Sequence, residues 1–372
     1  MPELIPYHLA FRGGLHTGTR GLNLEEAGSH LPADTLFSAL LSVWRHSGED
    51  VDALAAPFAA APPDPPFLLS SAFPFAGAVR FYPMPVDLAR LFRPETLACR
   101  GKAVKGIRYL SEVLFRKALR GEKLDDDLFL EDERAEPLSG VALQGGALWL
   151  SAGEVEELPK DMRRPAGKLR SLRHLRVWEA KRVPRVTVDR ISSASTVYQA
   201  GRLSFAEDCG LWFGLSWLRE GDQTLRAAFE RALAMLQDEG LGGERAAGYG
   251  AFTCSRAGVL RLPDPAAGKP AWLLSRYHPR PEELPVALQA PGAAYSLVAV
   301  GGWLSSPDGA AQRRKRLYLL AEGSLVCPPA YPAGDLTDLC PEYESGRGLG
   351  HPVYRYGLAL AAGLPAGEGA HG

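Results

Sequence analysis

The sequence lacks several features that mark common classes of protein. No run of apolar residues reaches the roughly 18 to 20 that cross a bilayer, so no membrane span is expected. The five cysteines are odd in number and include no Cys-x-x-Cys pair, which argues against a disulfide framework and a zinc ribbon. The first residues, MPELIPYHLAF, lack a basic stretch followed by an apolar core. We therefore expect a cytoplasmic protein that needs no membrane, metal or cofactor.

The most informative segment that the chain does contain is GLGGERAAGYGAF, residues 240–252. Because glycine has no Cβ, it adopts positive φ easily and lets backbone amides approach an anion closely. Arg245 adds a forked, permanently charged donor, and Tyr249 adds an aromatic ring. We predict that this segment binds a phosphate-bearing partner. The glycines expected to present their amides are Gly242, Gly243, Gly248 and Gly250.

Two better-known glycine patterns do not fit this segment. A Walker loop needs Gly-Lys-Ser/Thr after its glycines, and the dinucleotide fingerprint needs a strand before them and a helix after them. Here, apolar residues recur at helical spacing from about residue 222 to 239, and a strand-like pattern begins at 251. A helix that ends at Gly240 and continues into a simple turn is the alternative interpretation.

A helix, the pattern GxGGxRxxGxG and a strand, in this order, resemble the glycine-rich loop of the RAMP superfamily of CRISPR proteins. LPADTLFSALLSVW at 31–44 is similar to the first helix of the Csm subunit four family, which belongs to the Cas five group and to type III-A effector complexes. VDRISSAS at 188–195, LWF at 211–213 and GHPVYRYG at 350–357 agree with the same family. One departure is Ala33, where the family usually has serine before the aspartate.

The resemblance implies an α+β fold of two ferredoxin-like (RRM-like, RAMP) domains, residues 1–205 and 206–372. The sequence shows a strand followed by a helix in each half, which fits this organisation. Relatives carry a β-hairpin thumb that kinks the guide RNA, and we place it within residues 160–205. The chain is long for the family, and we expect insertions at about 50–80 and 121–169.

The net charge of −1 conceals a strong segregation of charge along the chain. From Arg80 to Lys123 there are eleven Lys and Arg against four Asp and Glu, and from Lys160 to Arg190 eleven against three. Aromatic residues interleave with both stretches, which favours binding of single-stranded RNA over a merely solvated surface. Outside the glycine-rich loop, the residues expected to contact sugar, phosphate or unstacked bases are His16, Lys102, Lys105, Arg108 and Arg190.

The resemblance implies a binding subunit without turnover of its own. Such a subunit of the Csm complex holds the 5′ handle of the guide RNA (crRNA), bridges the large Cas ten subunit to a neighbouring backbone subunit, and meets target RNA only indirectly. A rival function is a Cas six-like, metal-independent endoribonuclease in which His16 is the general acid or base. A third is the equivalent handle-binding subunit of a type I or type III-B complex. For Asp34 we expect a helix cap rather than a part in cutting RNA.

Overall fold

The structure is a computed structural model that describes residues 3–17, 29–129, 139–188, 195–219, 221–306, 309–341 and 351–365. Arg190 and most of the VDRISSAS segment lie outside the described residues, so the contact predicted for Arg190 stays a prediction. Within the described part of the chain, no helix combines the length and the apolar character needed to cross a membrane.

The described residues contain six α-helices. Their bounds are α1 Ala33–His46, α2 Val51–Ala59, α3 Pro94–Gly106, α4 Glu112–Leu119, α5 Gln223–Glu239 and α6 Leu284–Gln289. The helices predicted from apolar periodicity, α1 and α5, are confirmed. Asp222 begins α5 by accepting a hydrogen bond from the Leu225 amide over 2.9 Å. Gly240 ends α5 with a φ of 79°.

Most strands are short, and only four of those in the described residues have nine or more residues. Their bounds are β1 Glu3–Phe11, β2 Phe67–Leu69, β3 Phe73–Ala76, β4 Val79–Pro83, β5 Tyr109–Ser111, β6 Gly140–Leu143, β7 Leu148–Ser151, β8 Trp178–Val188, β9 Ser195–Phe205, β10 Cys209–Trp217, β11 Phe252–Arg256, β12 Leu260–Arg261, β13 Ala271–Leu273, β14 Leu297–Val300, β15 Trp303–Ser306, β16 Gly309–Arg313, β17 Leu317–Leu320, β18 Leu325–Val326, β19 Leu336–Asp338, β20 Tyr354–Tyr356 and β21 Ala361–Gly363.

A ten-stranded mixed sheet organises the molecule, which confirms the α+β class. Its main path runs β11-β1-β10-β3-β4-β5-β7-β6, with β12 paired to β1 and β2 paired to β10. The pairing of β5 with β7 is parallel, whereas β1 is antiparallel to both β10 and β11. Helices α1 and α5 pack together on one face, where the ring of Phe229 lies 6.1 Å from that of Tyr7. The two segments expected to be insertions contribute β2 to β4 and β6 to β7, so both build the sheet.

The ten-stranded sheet contains strands from both halves of the chain, and the predicted division into two domains stays a prediction. In chain order β1, α1, β3, β10, α5 and β11 form a β-α-β-β-α-β unit with the spatial order β11-β1-β10-β3. The boundary predicted between residues 205 and 206 falls immediately before β10, which lies between β1 and β3. Tyr7 and Leu9 are buried, and Tyr7 packs against Phe213 in β10 and Phe229 in α5, which both come from the second half. Apart from β12, the strands after residue 256 in the described part of the chain form a three-stranded sheet, β18-β13-β21, and two-stranded pairs.

A long β-hairpin, β8 with β9, occupies part of the region predicted to contain the thumb. Its strands pair from Trp178 opposite Phe205 to Val188 opposite Ser195. Trp178 is buried and Phe205 stacks on Phe11 at 5.4 Å, so the base of the hairpin is fixed to the body. The outer half is exposed, and Val188 leaves 58% of its surface open to solvent.

Helix α1 is joined to the C-terminal part of the chain by buried ion pairs. Asp34 lies 2.6 Å from Arg355 and 3.3 Å from Arg276. The predicted cap by Asp34 is wrong, because the residue before the helix is Pro32 and no side chain caps that end. The amide of Ala33 instead donates to the hydroxyl of Ser71 over 2.9 Å.

Candidate nucleic-acid interface

The glycine-rich loop is packed closely against the loop that follows β1. The Gly243 amide donates to the carbonyl of His16 over 2.8 Å, and the Gly250 amide donates to that of Gly14 over the same distance. Gly242 has a φ of 84°, and a Cβ there would lie 2.3 Å from the His16 carbonyl oxygen. Only glycine allows this contact, because any side chain would push the two backbones apart.

The amides predicted to hold a phosphate already have protein partners. In addition to the bonds of Gly243 and Gly250, the amide of Gly248 donates to the Arg245 carbonyl over 2.9 Å. The contact of these three amides with a phosphate stays a prediction, and in this structure each of them donates to a carbonyl of the protein. The glycines shape the loop and fix it to the body, and the charged side chains become the groups that can meet a ligand.

Arg245 lies at the exposed tip of the loop. It begins a single 3-10 turn, Arg245–Ala247, that is bounded by two left-handed residues, Glu244 at φ 58° and Gly248 at φ 80°. A left-handed glutamate is uncommon, because its Cβ crowds the backbone. The turn displays the Arg245 side chain to solvent. The position suits a cation that binds a partner rather than one that stabilises the fold.

Tyr249 is enclosed by two arginines of the hairpin. The guanidinium carbon of Arg185 in β8 lies 5.1 Å from the ring centroid, and that of Arg202 in β9 lies 5.9 Å from it. Both distances are within the range of cation–π attraction. The hydroxyl of Tyr198 also donates to the Glu244 carboxylate over 3.4 Å. These contacts couple the glycine-rich loop to the hairpin.

An open cleft of about 780 Å³ lies between the loop and the hairpin. It is lined by His46, Arg185, Val186, Tyr198, Glu239, Glu244, Arg245, Ala246 and Ala247. The two arginines supply planar, bidentate donors of the kind that bind phosphate. The carboxylates are already engaged, since Glu244 accepts from Tyr198 and Glu239 lies 3.6 Å from His46.

His16 lies in the body of the protein, below this cleft. Only 4% of its surface is exposed, and its Nδ1 lies 2.8 Å from the carbonyl oxygen of Gly201, to which it donates. The RNA contact of His16 and its alternative role as general acid or base stay predictions, and in this structure its imidazole is buried against the hairpin. Its imidazole fixes the base of the hairpin to the loop after β1.

The other predicted contacts do not reach the cleft. Lys102, Lys105 and Arg108 are exposed on α3 or just beyond it, and the Arg108 guanidinium lies over the Tyr109 ring at 5.8 Å. The strand that follows them, β5, is five strand positions from β11, which corresponds to about 24 Å at the usual spacing. They form a separate basic surface.

Arg185, Arg202 and Tyr198 were not predicted as site residues from the sequence. Arg185 was counted in a basic stretch but was not distinguished from its neighbours. Strand alternation within WEAKRVPRVTV places it on the same face as Val183 and Lys181, and the partner strand cannot be identified from that pattern. Among the described residues, no three His, Cys, Asp or Glu side chains are grouped to hold a metal ion.

Comparison with known proteins relates the chain to CRISPR proteins. Residues 266–364 match the family model of the CRISPR Csm4 C-terminal domain. The CRISPR system Cms protein Csm4 of Mycobacterium tuberculosis H37Rv is 30% identical over 171 residues, which cover 45% of this chain and 51% of the relative. The Csm4 protein of Thermococcus onnurineus NA1 is 28% identical over 188 residues, covering 50% and 55%. The chain thus spans about half the length of the curated relatives it matches.

Solved structures share the fold along almost the whole chain. A chain of the Csm3–Csm4 subcomplex of the type III-A CRISPR–Cas interference complex aligns with a TM-score of 0.60 at 16% identity, covering 97% of this chain and 99% of that one. A chain of the Csm1–Csm4 cassette in complex with pppApA aligns with a TM-score of 0.55 at 20% identity, covering 99% and 100%. The family model and the curated relatives make the chain similar to Csm4 proteins, and the solved structures show that it shares their fold.

Proposed function

We propose that this protein is a non-catalytic, RNA-binding subunit of a type III-A CRISPR (Csm) interference complex, and that it holds the 5′ handle of the crRNA. The observation that carries the proposal is the cleft in which Arg245 of the glycine-rich loop and Arg185 of the hairpin line the same space. Two guanidinium groups on opposite walls suit an extended polyanion that passes between them.

The hairpin gives this cleft a second function. Val186 lines the cleft, and Val188 and Val197 continue its exposed apolar surface, with 58% and 64% of their areas open. An apolar edge beside a phosphate site can insert between bases and interrupt their stacking. In this proposal the hairpin is the thumb, and it kinks the RNA where the handle leaves the cleft.

Lys102, Lys105 and Arg108 belong to a second contact in this proposal. Because the strand that follows them, β5, lies about 24 Å from β11 across the sheet, they contact a different stretch of the guide in this proposal. The large subunit and a backbone subunit are the proposed protein partners. Solved assemblies that share this fold pair Csm4 with Csm3 and with Csm1, which supports both choices.

A charge reversal at Arg245 tests handle binding in the reconstituted complex. Arg245→Glu should lower guide affinity at least tenfold and reduce the slope of log affinity against log salt by about one unit, because one phosphate contact is lost. Lys269→Glu is the matched control, since Lys269 is also exposed but lies outside the cleft. Equal guide content in the complexes of the two variants would show that Arg245 is not part of the RNA-binding site.

The rival endoribonuclease is tested with the purified chain. Repeat RNA incubated in EDTA should remain intact, because the proposed subunit binds RNA without turnover. His46 is the histidine that lines the cleft, 3.6 Å from Glu239. Specific cleavage that His46→Ala abolishes would support the enzyme and reject the binding subunit without turnover.

A further inference from the structure

A second groove lies on the face of the central sheet opposite to the one that carries α1 and α5. Side chains alternate between the two faces of a strand, so His8 points away from the face where Tyr7 meets α5. The groove has a volume of about 920 Å³ and runs between β1, β11 and the segment 157–163. The RNA contacts proposed above use none of its residues.

The floor of this groove is a stacked pair of rings. Phe75 and His8 lie with ring centroids 4.4 Å apart and planes 21° apart. Gly210, opposite Phe75 in β10, makes this possible, because a Cβ there would lie 2.8 Å from the Phe75 ring. An aliphatic or planar group laid on this floor would gain both apolar burial and ring contact.

His8, which lines the groove, has one polar atom without a partner among the described residues. Its Nε2 is buried and has no hydrogen-bond partner in the described part of the chain. Burial, with a smaller effect of Arg80, lowers the pKa of His8 to about 4, so the imidazole is neutral at physiological pH. A neutral ring nitrogen can accept a hydrogen bond from a cationic donor without charge repulsion.

The rim of the groove is acidic. Four exposed carboxylates line it, against two exposed cations, Lys160 and Arg163. The carboxylates are Glu157, Asp161, Glu207 and Asp208. This balance repels the phosphates of RNA and attracts a basic protein segment.

We propose that this groove docks an extended, lysine- or arginine-bearing segment of a neighbouring protein subunit. The methylene stem of a basic side chain lies on Phe75 and His8, while its charged end meets the rim carboxylates. The inference rests on the proposed function only in assuming that the chain works within an assembly.

The test replaces one rim charge in the reconstituted complex. Glu157→Lys should weaken association with the protein partner at least tenfold at 0.15 M salt while leaving the crRNA affinity of the chain unchanged. Glu156→Lys is the matched control, because Glu156 is the adjacent exposed carboxylate and does not line the groove. Equal association of the two variants with the partner would overturn the proposal that the groove docks a protein segment. Failure of the unmodified chain to join the complex would instead reject the proposed function. The docking proposal for the groove would then be rejected as well.

A photo-crosslinker identifies the occupant directly. p-Benzoylphenylalanine at Ser255, which is exposed in the groove, should crosslink to a lysine- or arginine-bearing peptide of another subunit. The same group at Val259, exposed by 45% and outside the groove, should not give that product. Crosslinks from position 255 to RNA alone, or to no partner, would refute the proposal.

Discussion

Arg355 and Asp34 form a buried ion pair whose nearest atoms, Nη1 and Oδ2, are 2.6 Å apart. They are 5% and 0% exposed, and they join β20, near the end of the described chain, to the first turn of α1. Arg276 extends the pair, since it lies 3.3 Å from Asp34 and 3.5 Å from Glu322. Burial alone would raise the pKa of Glu322, but Arg276 and His30 hold that pKa well below its usual range.

Removal of the Asp34 carboxylate should destabilise the fold strongly. Asp34→Ala leaves Arg355 buried without its closest partner, and breaking such a pair costs about 3 to 5 kcal/mol. The free energy of unfolding from urea titrations measures the loss. Asp50→Ala is the comparison, because Asp50 only caps the exposed end of α2, and we expect about 1 kcal/mol there. Losses of similar size in both variants would show that the ion pair does not join the two segments.

Three glycine-to-alanine substitutions should rank by their backbone surroundings. At Gly258 a Cβ meets nothing within 4 Å and no positive φ is required, so stability should change by less than about 0.5 kcal/mol. Gly248 is open but has a φ of 80°, which predicts a loss of about 1 to 2 kcal/mol. Gly250 combines a φ of 85° with a Cβ only 2.1 Å from the Leu241 carbonyl oxygen and should lose more. Thermal melts of the three variants give the ranking, and any other order contradicts it.

The neutral imidazole of His8 predicts a dependence of stability on pH. The folded protein does not protonate His8 until its pKa of about 4, whereas the unfolded chain binds that proton near the ordinary value of 6.5. The unfolded state therefore binds more protons in this window, and stability falls as pH falls through it. Between pH 7 and pH 5 the wild type should lose roughly 1 to 2 kcal/mol more than His8→Phe, which keeps a ring on Phe75.

Urea titrations at the two pH values measure this difference. His174→Asn is the control, because His174 is exposed. It should retain the pH dependence of the wild type. A His8→Phe variant with that same dependence would mean that His8 is protonated equally in the folded and unfolded states.

Local patterns in the sequence predicted the helices and the region of the hairpin, but they could not predict which strands pair. Leu9 pairs with Leu211 across about two hundred residues, and nothing near either residue shows that β10 lies beside β1. For the same reason the burial of His16 could not be predicted, since its partner Gly201 belongs to the hairpin. The glycines of the loop were singled out correctly as conformational requirements. Their amides were assigned to a phosphate because the carbonyls that accept from them, such as that of Gly14, come from a distant segment.

Tyr249 is enclosed by two arginines. We therefore predict that its ring, and not its hydroxyl, holds these arginines in position at the cleft. Arg185 and Arg202 both lie within 6 Å of the ring centroid, which is the range of cation–π attraction. Tyr249→Phe retains both contacts, so guide affinity in the reconstituted complex should stay within about twofold of the wild type. Tyr249→Ala loses both and releases Arg185 from its position beside Arg245, so affinity should fall about tenfold, equivalent to about 1.4 kcal/mol.

Fluorescence anisotropy with labelled crRNA measures these affinities, and limited trypsin digestion at Lys181 and Arg182 reports whether the hairpin has come loose. Tyr318→Ala is the matched control, because Tyr318 is 55% exposed and does not line the cleft. An alanine at 249 that speeds cleavage of the hairpin yet leaves RNA affinity unchanged would separate hairpin order from binding. In that case the loop and hairpin would be joined for stability alone, and the RNA would have to bind elsewhere on the protein.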